Sequence, residues 1–422
     1  MPELETLAAP SDDIRKRLSS LFAGMMKSLF KENGAEFRVE LVADPTVQEF
    51  VNTHAAAMDS AFEKVSITEG MRRRLIRSNY IFSGMKAFHE LHEAFPSLLD
   101  ENGNRKPFEQ FLNDVQSIDS TYNGNYLRAE YNFVSASAEM AGRWEQFMRD
   151  GDRYNLQYRT QRDDKVRPEH AALDRVTLPP SDSFWEEFYP PNGWNCRCTV
   201  VQVRKSKYPA TNHDEAMRLG DEALQRDTKG IFRFNAGKEG KSVPAYNPYT
   251  IRRCSTCPIA KGGKGGKLAA FTPDNEVCQA CVIFHECAGN AEKSATAIER
   301  KHYLREMEPL LTQRCEKTIG DDTTVSVGFS TYGNKHLFSD TFGRSSVLTK
   351  DDLKNLDSLL ANATYIDDSE LTHPRTDEIQ HFYYFKTTLR GQEIRINVAK
   401  QVRIRPNGRA RISYFVYSVN DI

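Results

Sequence analysis

Seven of the eight cysteines in this 422-residue chain fall between Cys196 and Cys287, and most stand in close pairs. Eight cysteines are too few for a disulfide framework in a chain of this length. Closely spaced pairs favour a bound metal over disulfides. We therefore expect parts of this chain to fold around metal sites as well as around hydrophobic cores.

The clearest pattern joins Cys254-x-x-Cys257 to Cys278-x-x-Cys281. Two such turns can place four thiolates at the corners of a tetrahedron, which is the geometry of structural Zn²⁺. The neighbouring residues are too polar to form a core of their own, so the metal would supply most of the folding free energy. This predicts a small zinc-ribbon-like module; free thiols or a redox-active pair are the alternatives. Two spare donors follow in the sequence, His285 and Cys287.

A second group of donors comprises His170, Cys196 and Cys198, in a segment dense in proline and aromatic residues. Zinc takes such ligands, and a loop of this composition cannot be ordered by strand ladders. The sequence leaves three interpretations open: a metal clip, a charge network, or simple burial of the three side chains. The charge network would consist of Arg167, Asp174 and Arg197.

Composition limits the classes of function. The chain carries 57 Lys and Arg against 58 Asp and Glu, which excludes nucleic-acid binding by bulk charge but not by a local basic face. No basic and apolar leader precedes the first helix, and no apolar run approaches a membrane span. We expect a protein with no signal peptide and no membrane partner, made in a reducing cytoplasm.

Periodicity predicts several domains. Residues 1–40 form a helical segment, and 41–250 form a mainly α-helical domain with a small β and loop part. The cysteine module occupies 251–290, with a glycine-rich linker at 261–267. Residues 295–422 predict an α+β domain with an antiparallel sheet. Expected elements include a strand at 37–42, helices at 296–315 and 349–363, and separate strands at 392–398 and 401–405.

An ordered series of motifs gives the first half a family resemblance. The most characteristic motif is Tyr189-Pro190-Pro191-Asn192-Gly193-Trp194-Asn195-Cys196-Arg197-Cys198. The others lie at 80–86, 100–111, 122–131, 138–144 and 164–174, with further similarity at 232–237 and 248–249. The series resembles the F-like minor head proteins of phage Mu, the phage head morphogenesis family, over roughly residues 40–250.

This resemblance implies a structural role in phage or prophage head assembly. Such proteins enter the head in few copies near the portal vertex and lie inside the capsid. The implied partners are portal and capsid proteins, and the implied location is the interior of the virion head. No enzyme chemistry follows from this half of the chain.

The C-terminal part has a second resemblance. It rests on the order of elements, on Gly333-Asn334-Lys335-His336, on His381 before a β-meander, and on the terminal Tyr417-Ser418. These resemble the nuclease fold shared by barnase, EndoU, colicin ribonucleases and RelE toxins, which occurs fused behind phage head proteins. The resemblance implies a metal-independent endoribonuclease toxin, with RNA such as tRNA as substrate and an immunity protein as partner.

The chemistry of such a ribonuclease needs a base, an acid and fixed cations. His336 and His381 are the candidate acid and base, and Lys335, Lys386 or Arg395 could supply the cations. Arg395 alternates with apolar neighbours, so we expect it on the face of the sheet opposite the core.

Strand alternation sets Tyr417 and Ser418 on opposite faces, so at most one is expected beside Arg395. Residues 386–411 also hold eight basic side chains against Glu393, enough to follow a phosphate backbone. The alternatives are a solvated basic face, a degenerate nuclease, or an adaptor that binds DNA, scaffold or portal. The candidate nucleic-acid contacts are Arg403, Arg405, Arg409 and Arg411.

Overall fold

A computed structural model describes residues 10–32, 36–257, 259, 275–320, 322–338, 348–371, 377–404 and 407–421. The chain divides into two compact units, Met1–Gly289 and Asn290–Ile422, which we call the first and second units. The predicted linker at 261–267 lies outside the described residues.

Helices dominate the first unit. They are α1 (Asp12–Lys31), α2 (Pro45–Ser60), α3 (Glu69–Ala94), α4 (Phe108–Asp114), α5 (Gln116–Asp119), α6 (Leu127–Asp150), α7 (Pro168–Ala171), α8 (Phe184–Glu187), α9 (His213–Ala223), α10 (Ala236–Glu239) and α11 (Glu276–Glu306), whose last residues belong to the second unit. Shorter helical turns are 3₁₀ helices at Val39–Ala43, Phe95–Leu98, Gly151–Arg153 and Arg252–Ser255, and a π-helix at Ser120–Tyr126.

The long helices form because their apolar residues recur at helical spacing and their ends are capped. In α1 the Ser11 hydroxyl accepts a hydrogen bond from the backbone N–H of Ile14, and Leu18, Phe22 and Leu29 are buried. These side chains join those of α2, α3 and α6 in the largest core of the unit. The first half of α11 packs directly on α3: a Cβ at Gly84 would lie 2.5 Å from the Phe284 ring.

A three-stranded antiparallel sheet completes the first unit. Its strands are β1 (Asn155–Arg159), β2 (Thr177–Leu178) and β3 (Thr199–Val203), in the order β2-β1-β3. A core of its own, centred on Trp185 and Tyr189, packs beneath the proline-rich loop. The predicted small β and loop part is therefore present.

The second unit is a six-stranded sheet covered by helices. Its strands are β4 (Arg314–Ile319), β5 (Thr323–Gly328), β6 (Thr364–Glu370), β7 (Ile379–Leu389), β8 (Gln392–Ile404) and β9 (Ala410–Asp421), in the order β4-β5-β9-β8-β7-β6. Only the β5–β9 pair, among the described strands of this sheet, is parallel. A 3₁₀ turn at Glu308–Thr312 precedes the sheet, and the helices are α12 (Thr331–His336), α13 (Lys350–Lys354) and α14 (Leu356–Ala361).

Three predicted elements were wrong. Residues 37–42 are not a strand: the N–H of Leu41 bonds the carbonyl of Arg38 instead, and the segment forms a 3₁₀ helix. The helix expected to reach residue 315 ends at Glu306, and Cys315 lies in β4, paired with Val327 of β5. The two strands expected at 392–405 are one, because β8 pairs with β9 from Ile394 to Ile404.

One strand, β6, was missed. Its sequence, Thr-Tyr-Ile-Asp-Asp-Ser-Glu, is too acidic to show apolar alternation, and most of it is exposed or half-buried. An edge strand needs no second apolar face, because it pairs on one side only. Neighbouring β7 supplies the hydrogen bonds that order it.

Candidate functional site

His170, Cys196 and Cys198 meet in one cluster, with their ligand atoms all within 4.8 Å of one another. Nδ1 of His170 lies 3.8 Å from Sγ of Cys196 and 3.9 Å from Sγ of Cys198. The bond lengths of tetrahedral zinc imply sulfur–nitrogen separations of about 3.5 Å. The three side chains thus stand close to the spacing of a loaded site, and the cluster could bind a metal.

Local backbone geometry positions these three donors. His170 lies in the single turn of α7, which Pro168 begins. The N–H of Cys196 bonds the carbonyl of Gly193, and a left-handed Asn195 (φ 57°) turns the chain between them. Cys198 is the last residue before β3. Both cysteines are buried, although the sequence alternates them with the exposed Arg197.

Electrostatics at the cluster favour one thiolate. A hydrogen bond from Cys198, with a further contribution from His170, holds the pKa of Cys196 well below its usual range. The same contact with Cys196, together with burial, raises the pKa of Cys198. A bound cation would allow both sulfurs to be deprotonated, because its positive charge offsets their mutual repulsion.

The predicted charge network does not form as one unit. Asp174 accepts hydrogen bonds from Thr160 and Arg162, and Arg197 binds Asp163 with two bonds of 2.7 Å. Arg167 donates to the carbonyl of Trp194. These separate contacts hold the loop in place around the cluster of His170, Cys196 and Cys198.

Cys254, Cys257, Cys278 and Cys281 lie close to one another, but no three of their sulfur atoms are all within 4.8 Å of one another. Cys254 is in the 3₁₀ helix Arg252–Ser255, whereas Cys278 and Cys281 are in α11. Burial, with the neighbouring Cys254, Cys257 and Cys278, raises the pKa of Cys281 to about 12. Among the described residues, only the cluster at His170 brings three ligand atoms within 4.8 Å. The zinc-ribbon form is not confirmed, and zinc binding by these four cysteines stays a prediction.

Sequence reasoning missed a buried polar network in the helical core. Lys86 is fully buried, and its Nζ donates to Oε2 of Glu130 at 2.7 Å and to the carbonyl of Tyr122 at 2.8 Å. The hydroxyl of Tyr249 donates to Oε1 of Glu130. His54 contacts both charged groups, 3.3 Å from Lys86 Nζ and 3.2 Å from Glu130 Oε2.

This network explains several of the motifs. Lys86, Tyr122, Glu130 and Tyr249 come from three motifs that are far apart in the chain, at 80–86, 122–131 and 248–249. The signal that the sequence offered was Lys86, a charged residue at the end of the largely apolar motif at 80–86. A lysine buried in such a segment requires partners for its charge, so it could have indicated the network.

Glu90 lies beside this network and near Asn123, but the geometry gives neither of its carboxylate oxygens a well-formed hydrogen bond to a described residue. Burial raises its pKa from 4.5 to about 8, against the opposing effect of Lys86. Between these values the unfolded chain releases a proton that the folded chain keeps. Stability should therefore fall as pH rises through this range.

We expect Glu90→Gln to remove that loss and to be more stable than the wild type at pH 8 by about 2–4 kcal/mol, the upper figure being the full effect of the raised pKa. At pH 4.5 the two proteins should differ by less than about 0.5 kcal/mol, because Glu90 is then protonated in the folded state and about half protonated in the unfolded state. Urea unfolding at the two pH values measures the difference. An equal gain at both would contradict a titrating Glu90.

In the second unit, the sheet face opposite the core carries several predicted residues. Ile394 and Ile396 are in the core, and the Arg395 guanidinium lies 4.8 Å from the Tyr384 ring on the other face, as predicted. Lys386 is the register partner of Arg395 on β7. Nε of Arg395 and Oδ1 of Asn397 are buried and bond no described residue.

A β-bulge brings Tyr417 and Ser418, the two site residues predicted near the end of the chain, to this face. Asn397 pairs with Ser418 while Val398 pairs with Val416, so Tyr417 is the extra residue of β9. The Ser418 hydroxyl accepts a bond of 2.8 Å from Asn397, and the Tyr417 ring lies 5.2 Å from Phe382 on the same face. The expectation that at most one of them lies beside Arg395 was wrong.

His336 joins the group from α12. Its ring stacks on Tyr417 at 4.4 Å, with the tyrosine hydroxyl 3.5 Å from Nε2, and Lys335 beside it is exposed. A Cβ at Gly333 would lie 2.2 Å from the carbonyl of Val416, so this glycine lets α12 lie directly on β9. We call the resulting group the polar sheet face: His336, Tyr384, Lys386, Arg395, Asn397, Tyr417 and Ser418.

His381 lies on the other face. Its ring packs 4.6 Å from Tyr383, a core residue, and Nε2 bonds Oδ1 of Asp368 at 2.9 Å. The two histidines predicted to act as acid and base, His336 and His381, therefore lie on opposite faces of the sheet.

The basic residues predicted to contact nucleic acid lie near the β8–β9 hairpin end. Arg403, Arg409 and Arg411 are exposed. Arg403 pairs with Glu378 at 2.9 Å and faces Arg411 in register. Arg405 lies outside the described residues.

Comparison with known proteins supports the first resemblance. Residues 101–201 match the family model described as Phage Mu protein F like protein, so the Mu F-like motif series is confirmed over this segment. The match includes His170, Cys196 and Cys198 and does not extend to the second unit.

Two curated proteins are similar to part of the chain. One is the putative capsid assembly protein F of Escherichia phage Mu, 39% identical over 104 residues, which are 24% of this chain and 21% of that protein. The other is the Mu-like prophage FluMu F protein of Haemophilus influenzae, 27% identical over 147 residues, which are 33% of this chain and 32% of that protein. The chain thus covers about a fifth to a third of these relatives.

No solved structure matches the chain. None of the helices in the described ranges combines the length and the apolar character that a membrane span requires.

Proposed function

We propose that this chain is a minor head protein of a phage or prophage, built into the capsid interior near the portal. The observation that carries the proposal is the Mu F-like segment at 101–201, which is similar to a protein named for capsid assembly. The helical core and the loop that holds His170, Cys196 and Cys198 would present a rigid surface to portal and capsid proteins.

Head assembly tests this role. The full chain is expressed together with the portal and major capsid proteins of the same phage, and purified heads are analysed by quantitative mass spectrometry. We expect few copies per head and cross-links to the portal. Normal heads that lack the chain would contradict the proposal. A tagged protein of similar size, unrelated to phages, controls for passive trapping.

We also propose that Zn²⁺ binds His170, Cys196 and Cys198. Support comes from the close approach of the three donors, with Nδ1 of His170 3.8 and 3.9 Å from the two sulfurs, and from their burial in a loop with little strand pairing. The metal would supply a cross-link between α7 and the turn before β3.

For the second unit we propose, as a separate function, metal-independent cleavage of RNA such as tRNA. What favours it is the grouping of His336, Tyr417 and Arg395 on one sheet face with buried polar atoms that lack described partners. His336 could move a proton, and Arg395 could hold a phosphate. An immunity protein would then act by covering this face. The non-enzymatic alternative is that the same face binds DNA, scaffold or portal.

The sheet provides a matched pair of variants for this proposal. We expect the full chain to cleave tRNA in EDTA, His336→Ala to lose at least a hundredfold in rate, and His381→Ala to remain active. Gel electrophoresis of labelled tRNA measures the rates, with folding checked by circular dichroism in the same buffer. Loss of activity in His381→Ala alone would place the chemistry elsewhere. Absence of any cleavage would favour the binding alternative.

A further inference from the structure

A cavity in the first unit is lined by Cys254, Cys281 and His285. It lies between α3, the segment at 239–250 and the first half of α11. Lys241 also lines the cavity and lies near both cysteines. The cavity therefore combines two soft ligands and an imidazole in one place.

His285 is the unusual member. It is 6% exposed, and its Nε2 bonds no residue that the structure describes. A buried polar atom left without a partner costs about 1–3 kcal/mol. A neutral imidazole is a common metal ligand, and an ion bound in this cavity would satisfy the buried Nε2.

Cys278, in contrast, is already engaged. Its Sγ accepts a hydrogen bond of 2.7 Å from the Arg253 guanidinium. This contact holds the sulfur beside the 3₁₀ helix Arg252–Ser255. Neither Cys278 nor Cys257 lines the cavity that holds Cys254, Cys281 and His285, so it is the guanidinium contact that sets Cys278 apart.

The spacing of the remaining donors suits one ion. Cys281 and His285 are four residues apart on α11, so they project from the same side of the helix. Helical ligand pairs with three to five intervening residues complete zinc sites whose other pair is Cys-x-x-Cys, and Cys254-x-x-Cys257 is such a pair.

We propose that Zn²⁺ binds at this cavity through Cys254, Cys281 and His285, which line it, and through Cys257 of the adjoining Cys-x-x-Cys pair. Cys278 then stays outside the coordination sphere, hydrogen-bonded to Arg253. The proposal revises the four-cysteine site predicted from spacing and does not depend on the role in head assembly. Because these donors are not all within 4.8 Å of one another, binding draws the 3₁₀ helix toward α11.

Zinc content of the full chain tests the ligand set. We expect His285→Ala and Cys281→Ser each to lose one zinc per chain relative to the wild type, and Cys278→Ser to lose none, by plasma mass spectrometry. The reverse pattern, with zinc lost in Cys278→Ser and kept in His285→Ala, would overturn the proposal. So would unchanged zinc content in all three variants.

Cadmium-113 NMR gives an independent measurement. After exchange of zinc for cadmium, Cys278→Ser should leave every resonance in place. His285→Cys should keep the metal and move one resonance to the position of a four-sulfur site. If His285→Ala aggregates, His285→Cys provides the test in its place. A folded His285→Cys chain that binds no metal at this site would contradict the proposal.

Discussion

Replacing Lys86 by methionine is expected to lower the free energy of unfolding of the first unit by about 3–5 kcal/mol. The substitution keeps most of the side-chain volume but leaves Glu130 charged and buried. Glu130 is 3% exposed, and Lys86, with His54, holds its pKa at about 2 despite burial. An unpaired carboxylate there must pay its desolvation or take up a proton.

Urea unfolding followed by tryptophan fluorescence measures the effect. The three tryptophans of the chain, Trp144, Trp185 and Trp194, all lie in the first unit and report on it alone. Lys27→Met, at an exposed position of α1, is the control for loss of a positive charge. The double variant Lys86→Met with Glu130→Gln should recover much of the loss, because no charge is then unpaired.

A loss below about 1 kcal/mol in Lys86→Met would contradict the importance of the network. It would mean that Glu130 takes up a proton or reaches water at little cost. Failure of the double variant to recover stability would instead point to packing of the lysine stem.

Removing the metal from the His170 cluster is expected to have the second-largest effect. If free zinc exceeds its dissociation constant a thousandfold, binding stabilises the first unit by about 4 kcal/mol. The first unit has 289 residues, slightly above the size at which 1 kcal/mol shifts Tm by about 2–4 °C, so we expect a drop in Tm of roughly 10 °C or a little less on chelation. Tryptophan fluorescence again reports it, because Trp185 lies in the core next to the cluster.

The matched variants are Cys196→Ser with Cys198→Ser, and Cys315→Ser as control. The double variant should lose one zinc and should no longer respond to zinc at this site. Cys315 lies in β4 of the second unit, and its replacement should change neither quantity. Zinc content equal to that of the wild type in the double variant would contradict the proposed site.

Much of the first unit followed from the sequence, because its helices carry their own signals. Ser11 and Thr68 cap α1 and α3 with hydrogen bonds to the third residue, and apolar spacing marks the buried side of α1. Such signals are local, so they survive without knowledge of the partner. The prediction of a strand at 37–42 was wrong because a strand depends on another strand that pairs with it, and the local sequence does not show whether such a partner exists.

Register decided the second unit. Alternation correctly placed Arg395 away from the core, but the bulge at Tyr417 shifted the end of β9 and put Ser418 on the same face. Adding one residue to a strand reverses every later side chain, and the sequence carries no clear sign of such an addition.

The cysteines show the same division. Their clustering indicated metal sites from the sequence alone, and the motif series indicated the Mu F-like segment that the comparison confirmed at 101–201. Only the tertiary structure showed that His170 reaches Cys196 and Cys198, and that Cys278 turns to Arg253 while His285 enters the cavity. The physical reason is that spacing restricts which donors can share an ion, whereas burial and the hydrogen bonds of each donor decide which of them do.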